Sequence, residues 1–470
     1  MIRAASVVND TLTMPKEFRA LFGALLAAAA TAFGADSKPG YAARLQWNIN
    51  TTVGDYERCG HKDPKWDADA KKALGIFAEM LSGQNSDVKL EEFRKAARSA
   101  IDLGCDDPLL RYLAFRHGVL GAQNAAALGK NLSELADALA AGGYSPIRVF
   151  YVSDRAARAL FNTGGENNPN VHRYRKRAAQ ALAETLRDKK TPFDEVYIAC
   201  HEMIAEVQYS PADMGPVWDQ VEKPLVENWP DQPLTYNLKG WALISKGWAA
   251  RGYGYADTVT ETGWKTLKED LTLAQAALEK GWRMDTNDSR MPCQMLTVAL
   301  GLPLERGEME KWFGRAMAAN TNCYEAGSAK LEFLKPKWFG SDEVMLAFGR
   351  ECVASKKWGG HVPLILLDAR RDIASRIQDT NQVSAYWNRA DVWRDLHRSF
   401  EKFFALNPDE IGWRHDYAKA AYDAGQWKLF LDQCKLMRAG NYEFFGGLGN
   451  FQKMKEEAQR RVSEERPAAK

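Results

Sequence analysis

The stretch nearest to a known metal chemistry is His201-Glu202-Met203-Ile204-Ala205-Glu206. A zinc helix of the H-E-x-x-H kind needs two histidines one turn apart on one face, with the glutamate as base. Here Ala205 stands at the second ligand position and cannot bind metal, and Glu206 points roughly a third of a turn away. Cys200 precedes His201, but helical neighbours diverge by about 100°. No metal site is expected. Arg251-Gly252-Tyr253-Gly254-Tyr255 is glycine-rich, yet no strand precedes it and no G-K-[ST] or G-x-G-x-x-G follows. It reads as an inter-helix loop in which glycine supplies positive φ and the two tyrosines pack or line a groove. No G-x-S-x-G elbow occurs. His415-Asp416 lies beside a helix, with Asp416 expected on a solvated face. No cofactor is implied.

Acids and aromatics leave two readings. A glycosidase or lyase on an α/α toroid needs two carboxylates across a cleft, and Glu202, Glu206, Asp257 and Glu261 are conceivable members. The sequence alone sets no distance between any two of them. The chain also carries 15 Trp. Trp at helical spacing is usually core, but helical arrays form a concave face on which aromatics bind peptides or stack on sugars. Trp338 lies in an inter-helix turn flanked by Lys335, Lys337 and Gly340, with Ser341 placed to cap the next helix. It is either a wedge between helices or a ligand contact. Seven cysteines are widely spaced and odd in number, unlike a disulfide framework. Cys59–Cys105 is the first pair to test for a single disulfide, which an oxidising compartment would permit.

The formal charge of +2, with acids and bases interleaved, excludes the concentrated basic face that nucleic acid requires. At the amino terminus, Lys16 and Arg19 precede an apolar run from Leu21 through the alanines to Ala32, and Ala32-Phe33-Gly34 precede Ala35. This pattern predicts a secretory signal peptide over residues 1–34, with Met14 the better start. Its apolar core is too short for a membrane anchor. An exported protein is therefore expected, periplasmic or extracellular, without a transmembrane anchor after cleavage.

The elements that must position these residues read as helices throughout. After an extended leader (35–50), apolar periodicity predicts helices within 56–81, 90–103, 109–120, 132–140, 146–161, 172–187 and 193–209. Gly104 is a natural left-handed stop. Pro211, Pro216, Pro224 and Pro230 mark an irregular segment. From Pro233 the helices pair. Met284-Asp285-Thr286-Asn287 lies 35 residues before Ala319-Asn320-Thr321-Asn322, near the period of a two-helix repeat. Near the end, a helix stops at Leu406-Asn407-Pro408, and Ala418, Ala421, Gly425 and Trp427 follow at spacings that resemble a tetratricopeptide-type repeat.

The fold expected is all-α: tetratricopeptide-like helical hairpins forming a superhelix over 233–460, preceded by an N-terminal helical domain (35–190) and a connecting segment (191–232). A frayed tail (461–470) ends the chain. The run Arg251 to Tyr255, then Trp264, Trp312-Phe313 with Ala316-Met317, and Leu334-Lys335-Pro336-Lys337-Trp338-Phe339-Gly340-Ser341 resembles a bacterial helical family of unknown function that contains a tetratricopeptide-like region. The likeness is best over 235–355 and implies no activity. The function expected is non-catalytic binding or scaffolding, with a groove that holds a protein or extended peptide, or a glycan. The residues expected on its face are Trp241, Tyr253, Tyr255, Trp312, Arg315 and Trp338. The enzyme on a toroid is the alternative.

Overall fold

The structure is a computed structural model that describes residues 38–121, 124–252, 254, 256–437, 440 and 442–464. The signal peptide expected over residues 1–34, Tyr253, Tyr255 and the last six residues lie outside the described residues. Among those described there are helices and turns but no strand, so the protein is all-α. Its contacts divide it into two compact units, one up to Asp285 and one from Thr286 onward.

The first unit holds α1 (Lys38–Asn50), α2 (Val53–Cys59), α3 (Asp67–Leu81), α4 (Asp87–Asp102), α5 (Pro108–Arg116) and α6 (Ala125–Ala141). It continues with α7 (Pro146–Gly164), α8 (Pro169–Thr185), α9 (Phe193–Val207), α10 (Met214–Asn228), α11 (Pro233–Arg251) and α12 (Glu261–Met284). Neighbours in sequence pack as hairpins, α6 on α7, α7 on α8 and α11 on α12, while α8 also meets α10 and α9 meets α11. Their boundaries follow local chemistry. Asp107 Oδ1 accepts the Leu110 amide at 3.0 Å with Pro108 in the first turn of α5, the arrangement that satisfies an orphan helix donor. Gly104, with φ of +100°, turns the chain after α4.

Two segments differ from the sequence expectation. Residues 38–50 form helix α1 rather than an extended leader. Its inward positions Tyr41, Arg44, Leu45 and Asn48 are spaced three and four apart, but two are polar, so no apolar period announces the helix. Within 191–232, α9 falls where a helix was expected over 193–209, whereas the stretch of Pro211, Pro216, Pro224 and Pro230 expected to be irregular holds α10, with Pro224 buried inside it.

The second unit holds α13 (Arg290–Gly301), α14 (Arg306–Ala319), α15 (Tyr324–Phe333), α16 (Asp342–Ala354) and α17 (Ile365–Ser375). Then follow α18 (Thr380–Trp387), α19 (Ala390–Leu406), α20 (Arg414–Asp423), α21 (Trp427–Leu436) and α22 (Leu448–Glu464). Here too a helix meets its successor and the one beyond: α13 packs on α14 and α15, and α17 on α19. Ser341 caps α16 by accepting the Val344 amide at 3.4 Å. Ala418 and Ala421 are wholly buried where α20 meets α21. Phe400, Phe403 and Tyr417 fill the core between α19 and α20.

Candidate functional site

Burying a charge costs several kcal/mol unless an opposite charge compensates it, so buried guanidinium groups and their partners locate the chemistry. Arg148 lies in the first turn of α7, within the otherwise apolar run Ile147-Arg148-Val149-Phe150, and is 3% exposed. Its Nε donates to the Thr51 carbonyl at 3.0 Å. Nη2 donates to Asn48 Oδ1 at 3.1 Å and to Thr51 Oγ1 at 2.7 Å. All three acceptors are neutral. Asn48 is held for this task by its own amide, which donates to Ser82 Oγ at 3.0 Å. Burial sets the Arg148 pKa below the ordinary guanidinium value.

Arg148 lines a cavity of about 110 Å³ within the first unit, room for several waters or a small organic group. Phe77 and Leu81 of α3, Leu109 and Leu113 of α5, and Ile198 of α9 form its apolar wall. Its polar wall holds Arg44, Arg116 and Arg148 against Glu195 and Glu202, with Tyr112 and Tyr151 between. Arg116 is solvent-exposed and marks the open side. Arg44 Nε is buried with no protein partner, although its Nη1 reaches Asp194 at 3.4 Å.

Both carboxylates of the cavity have partners in its wall or beside it. Tyr151 donates its hydroxyl to Glu195 Oε1 at 2.7 Å. Burial, reinforced by the Glu195 charge, holds that phenol protonated well above its usual range. Glu202 Oε2 lies 3.5 Å from both Arg155 and Arg158. Burial opposes its ionisation, but Arg155, Arg158 and Arg116 together overcome burial and set its pKa below the usual value. The cavity wall thus carries one formal positive charge in excess.

One turn along α9, Glu206 meets Arg158 at 3.2 Å and Arg175 at 3.3 Å. Burial, with Asp154 adding to it against the two arginines, pushes its pKa up to about 7. Glu202 and Glu206 sit on one helix rather than on opposite walls, while Asp257 and Glu261 are exposed at the α11–α12 connection.

Glu166, His172 and Asp213 bring three metal-type donors within 4.8 Å of one another. A cation already fills that set. Arg175 Nη1 donates to both Glu166 oxygens at 2.9 Å and to Asp213 Oδ2 at 2.7 Å. Both His172 nitrogens are occupied, by Asp213 at 2.8 Å and the Glu166 carbonyl at 2.9 Å.

Of the groove residues expected from sequence, Trp241 lies in the first unit, and Trp312, Arg315 and Trp338 lie in the second. Trp241 is 2% exposed in the first unit, its ring 4.6 Å from that of His201. Trp312 is 3% exposed in the second unit, with the Arg315 guanidinium 4.2 Å over its ring. Both indoles are buried. Trp338 is half-buried, and its Nε1 donates to Glu332 Oε1 at 3.0 Å. Tyr253 and Tyr255 lie outside the described residues, and beside them the Arg251 side chain is described. That side chain donates to the Gly252 and Gly254 carbonyls at 3.0 and 3.1 Å, with its guanidinium over Trp248 and Trp264. All seven cysteines, Cys59 and Cys105 among them, stand as free thiols. Sequence reasoning missed Arg44, Arg116 and Arg148. The available signal was Arg148, a lone charge in an apolar run.

Comparison with known proteins adds no relative: no family model, no curated protein and no solved structure matches the chain.

Proposed function

We propose that the protein is a non-catalytic binding protein whose first unit takes the carboxylate of a ligand carried on a short apolar stem. The observation that carries this reading is Arg148, a nearly enclosed guanidinium whose partners are all neutral, facing a cavity with one excess positive charge. A monoanion entering past Arg116 compensates that charge, and the planar guanidinium fork suits a carboxylate. The apolar wall of Phe77, Leu109 and Leu113 receives the stem, the usual division of labour in a small-ligand pocket. The same chemistry arrives as a free short-chain acid or as the end of an extended peptide. The amino-terminal leader supports export as the setting, and the paired helices support a tetratricopeptide-like scaffold around the pocket.

Isothermal titration calorimetry with hexanoate, and with one short apolar peptide bearing either a free or an amidated carboxyl terminus, tests the reading. Binding of hexanoate points to a free acid. Binding of the free-ended peptide alone points to a peptide partner. Arg116→Gln, at an exposed position, is expected to weaken either at least tenfold. The reading fails if neither ligand binds, or if the amidated peptide binds as well as the free one.

A further inference from the structure

In the second unit, Cys293 and Cys323 stand 30 residues apart in sequence with their Sγ atoms 3.1 Å apart. Cys293 lies in the first turn of α13, its amide donating to the Ser289 carbonyl at 3.0 Å. Cys323 occupies the N-cap position of α15, at the end of a tight turn in which its amide donates to the Asn320 carbonyl at 3.1 Å. Helices α13 and α15 pack against each other, and α14 fills the chain between the two cysteines. A closure of about 1 Å brings the sulfurs to the roughly 2.05 Å of a disulfide. The two positions are 8% and 2% exposed. Cys323 Sγ also lies 3.7 Å from Glu325 Oε2, and Cys59 directs its thiol to the Asp55 carbonyl at 3.2 Å.

We infer that Cys293 and Cys323 are a modification site, joined as an intramolecular disulfide by exchange with a small-molecule or protein disulfide. One cysteine thiolate attacks the donor disulfide, forming a mixed disulfide and releasing one donor thiol. The second cysteine thiolate then displaces the other donor sulfur. One S–S bond breaks and one forms, the protein loses two electrons and two protons, and the donor leaves as two thiols. Because the folded unit encloses both sulfurs, exchange belongs to folding, before α15 docks on α13. The finished bond is shielded from reductants by the same enclosure. It staples α13 to α15 across the loop that carries α14, in the chain-entropy manner of a closed loop. This inference is independent of the carboxylate pocket, which lies in the other unit.

The test refolds the full chain with a reduced and oxidised glutathione pair, then denatures it in excess alkylating agent without reductant. Peptide mapping by mass spectrometry is expected to find five of the seven cysteines alkylated and a linked peptide joining Cys293 to Cys323. In the native protein that link is expected to survive a reductant that removes it after denaturation. Cys293→Ser should abolish the link and expose Cys323 to alkylation. If that variant fails to fold, the wild-type map alone decides. Alkylation of all seven cysteines, or a link between any other pair, overturns the inference.

Discussion

The Arg148 guanidinium donates through Nε to the Thr51 carbonyl at 3.0 Å, tying the first turn of α7 to the end of α1 across 97 residues. The same side chain therefore closes a helix end and charges the cavity. Arg148→Met removes both roles. It leaves the Thr51 carbonyl and Asn48 Oδ1 short of a donor, each lost bond costing about 1–3 kcal/mol, partly offset by deleting a buried charge. A net loss of about 1–3 kcal/mol is expected in thermal denaturation. The diagnostic result is ligand dependence: hexanoate should raise the wild-type melting temperature and leave that of the variant unmoved.

Glu206 gives the first unit a pH dependence of unusual sign. Its folded pKa of about 7 lies above the unfolded value of 4.5. Between those values the folded state keeps a proton that the unfolded state has released, so stability falls as pH rises from about 4.5 to 7 and is level above. Glu206→Gln keeps an acceptor for Arg158 and Arg175 without the titration. Urea midpoints at pH 5 and pH 7.5 should therefore diverge between the two proteins, the variant gaining on the order of 1–3 kcal/mol relative to wild type at the higher pH. Parallel curves would mean that Glu206 is ionised across the range.

Trp338 illustrates how far the sequence reached. Its position in a turn, the Ser341 cap and the helical character of both flanks were legible, because each depends on residues near in sequence. Its polar partner was not. Glu332 is 4% exposed, accepts from the indole at 3.0 Å, and is ion-paired with the Lys335 ammonium at 2.6 Å and the Lys337 ammonium at 3.1 Å. Lys335 also reaches Asp372 on α17 at 2.6 Å. Trp338→Ala should accordingly lower the melting temperature of the second unit, with a loss of about 1–3 kcal/mol for a half-buried aromatic and its hydrogen bond. Trp338→Phe should recover the packing part. An unchanged melting temperature for the alanine variant would return Trp338 to the role of a ligand contact.

The cavity escaped sequence reading for a different physical reason. Arg44, Arg116, Arg148 and Glu202 come from four helices and make no motif at any spacing. Helix α1, which brings Arg44, lacks an apolar period because Arg44 and Asn48 occupy its inward face. Periodicity reports burial of apolar side chains, so it is silent wherever a buried face is polar. The bend at Gly104 and the α5 cap at Asp107 were readable because turn and cap chemistry is local.

Arg370 supplies the internal comparison for Arg148. It is 1% exposed in the second unit, but two carboxylates compensate it: Asp395 at 2.5 Å and Asp391 at 3.1 Å. Arg350 also reaches Asp395, at 2.9 Å. A buried guanidinium that serves only the fold is thus paired within the chain. Asp395→Ala should strand Arg370 and cost about 3–5 kcal/mol, the usual penalty for removing one partner of a buried ion pair. Asp391 reduces the loss toward the lower figure. Chemical denaturation followed by circular dichroism measures it, and hexanoate, whose site is in the first unit, should restore none of the lost stability. Recovery of the variant by hexanoate would show that a stranded guanidinium in this fold recruits a carboxylate without a built cavity, and Arg148 would no longer mark a ligand site.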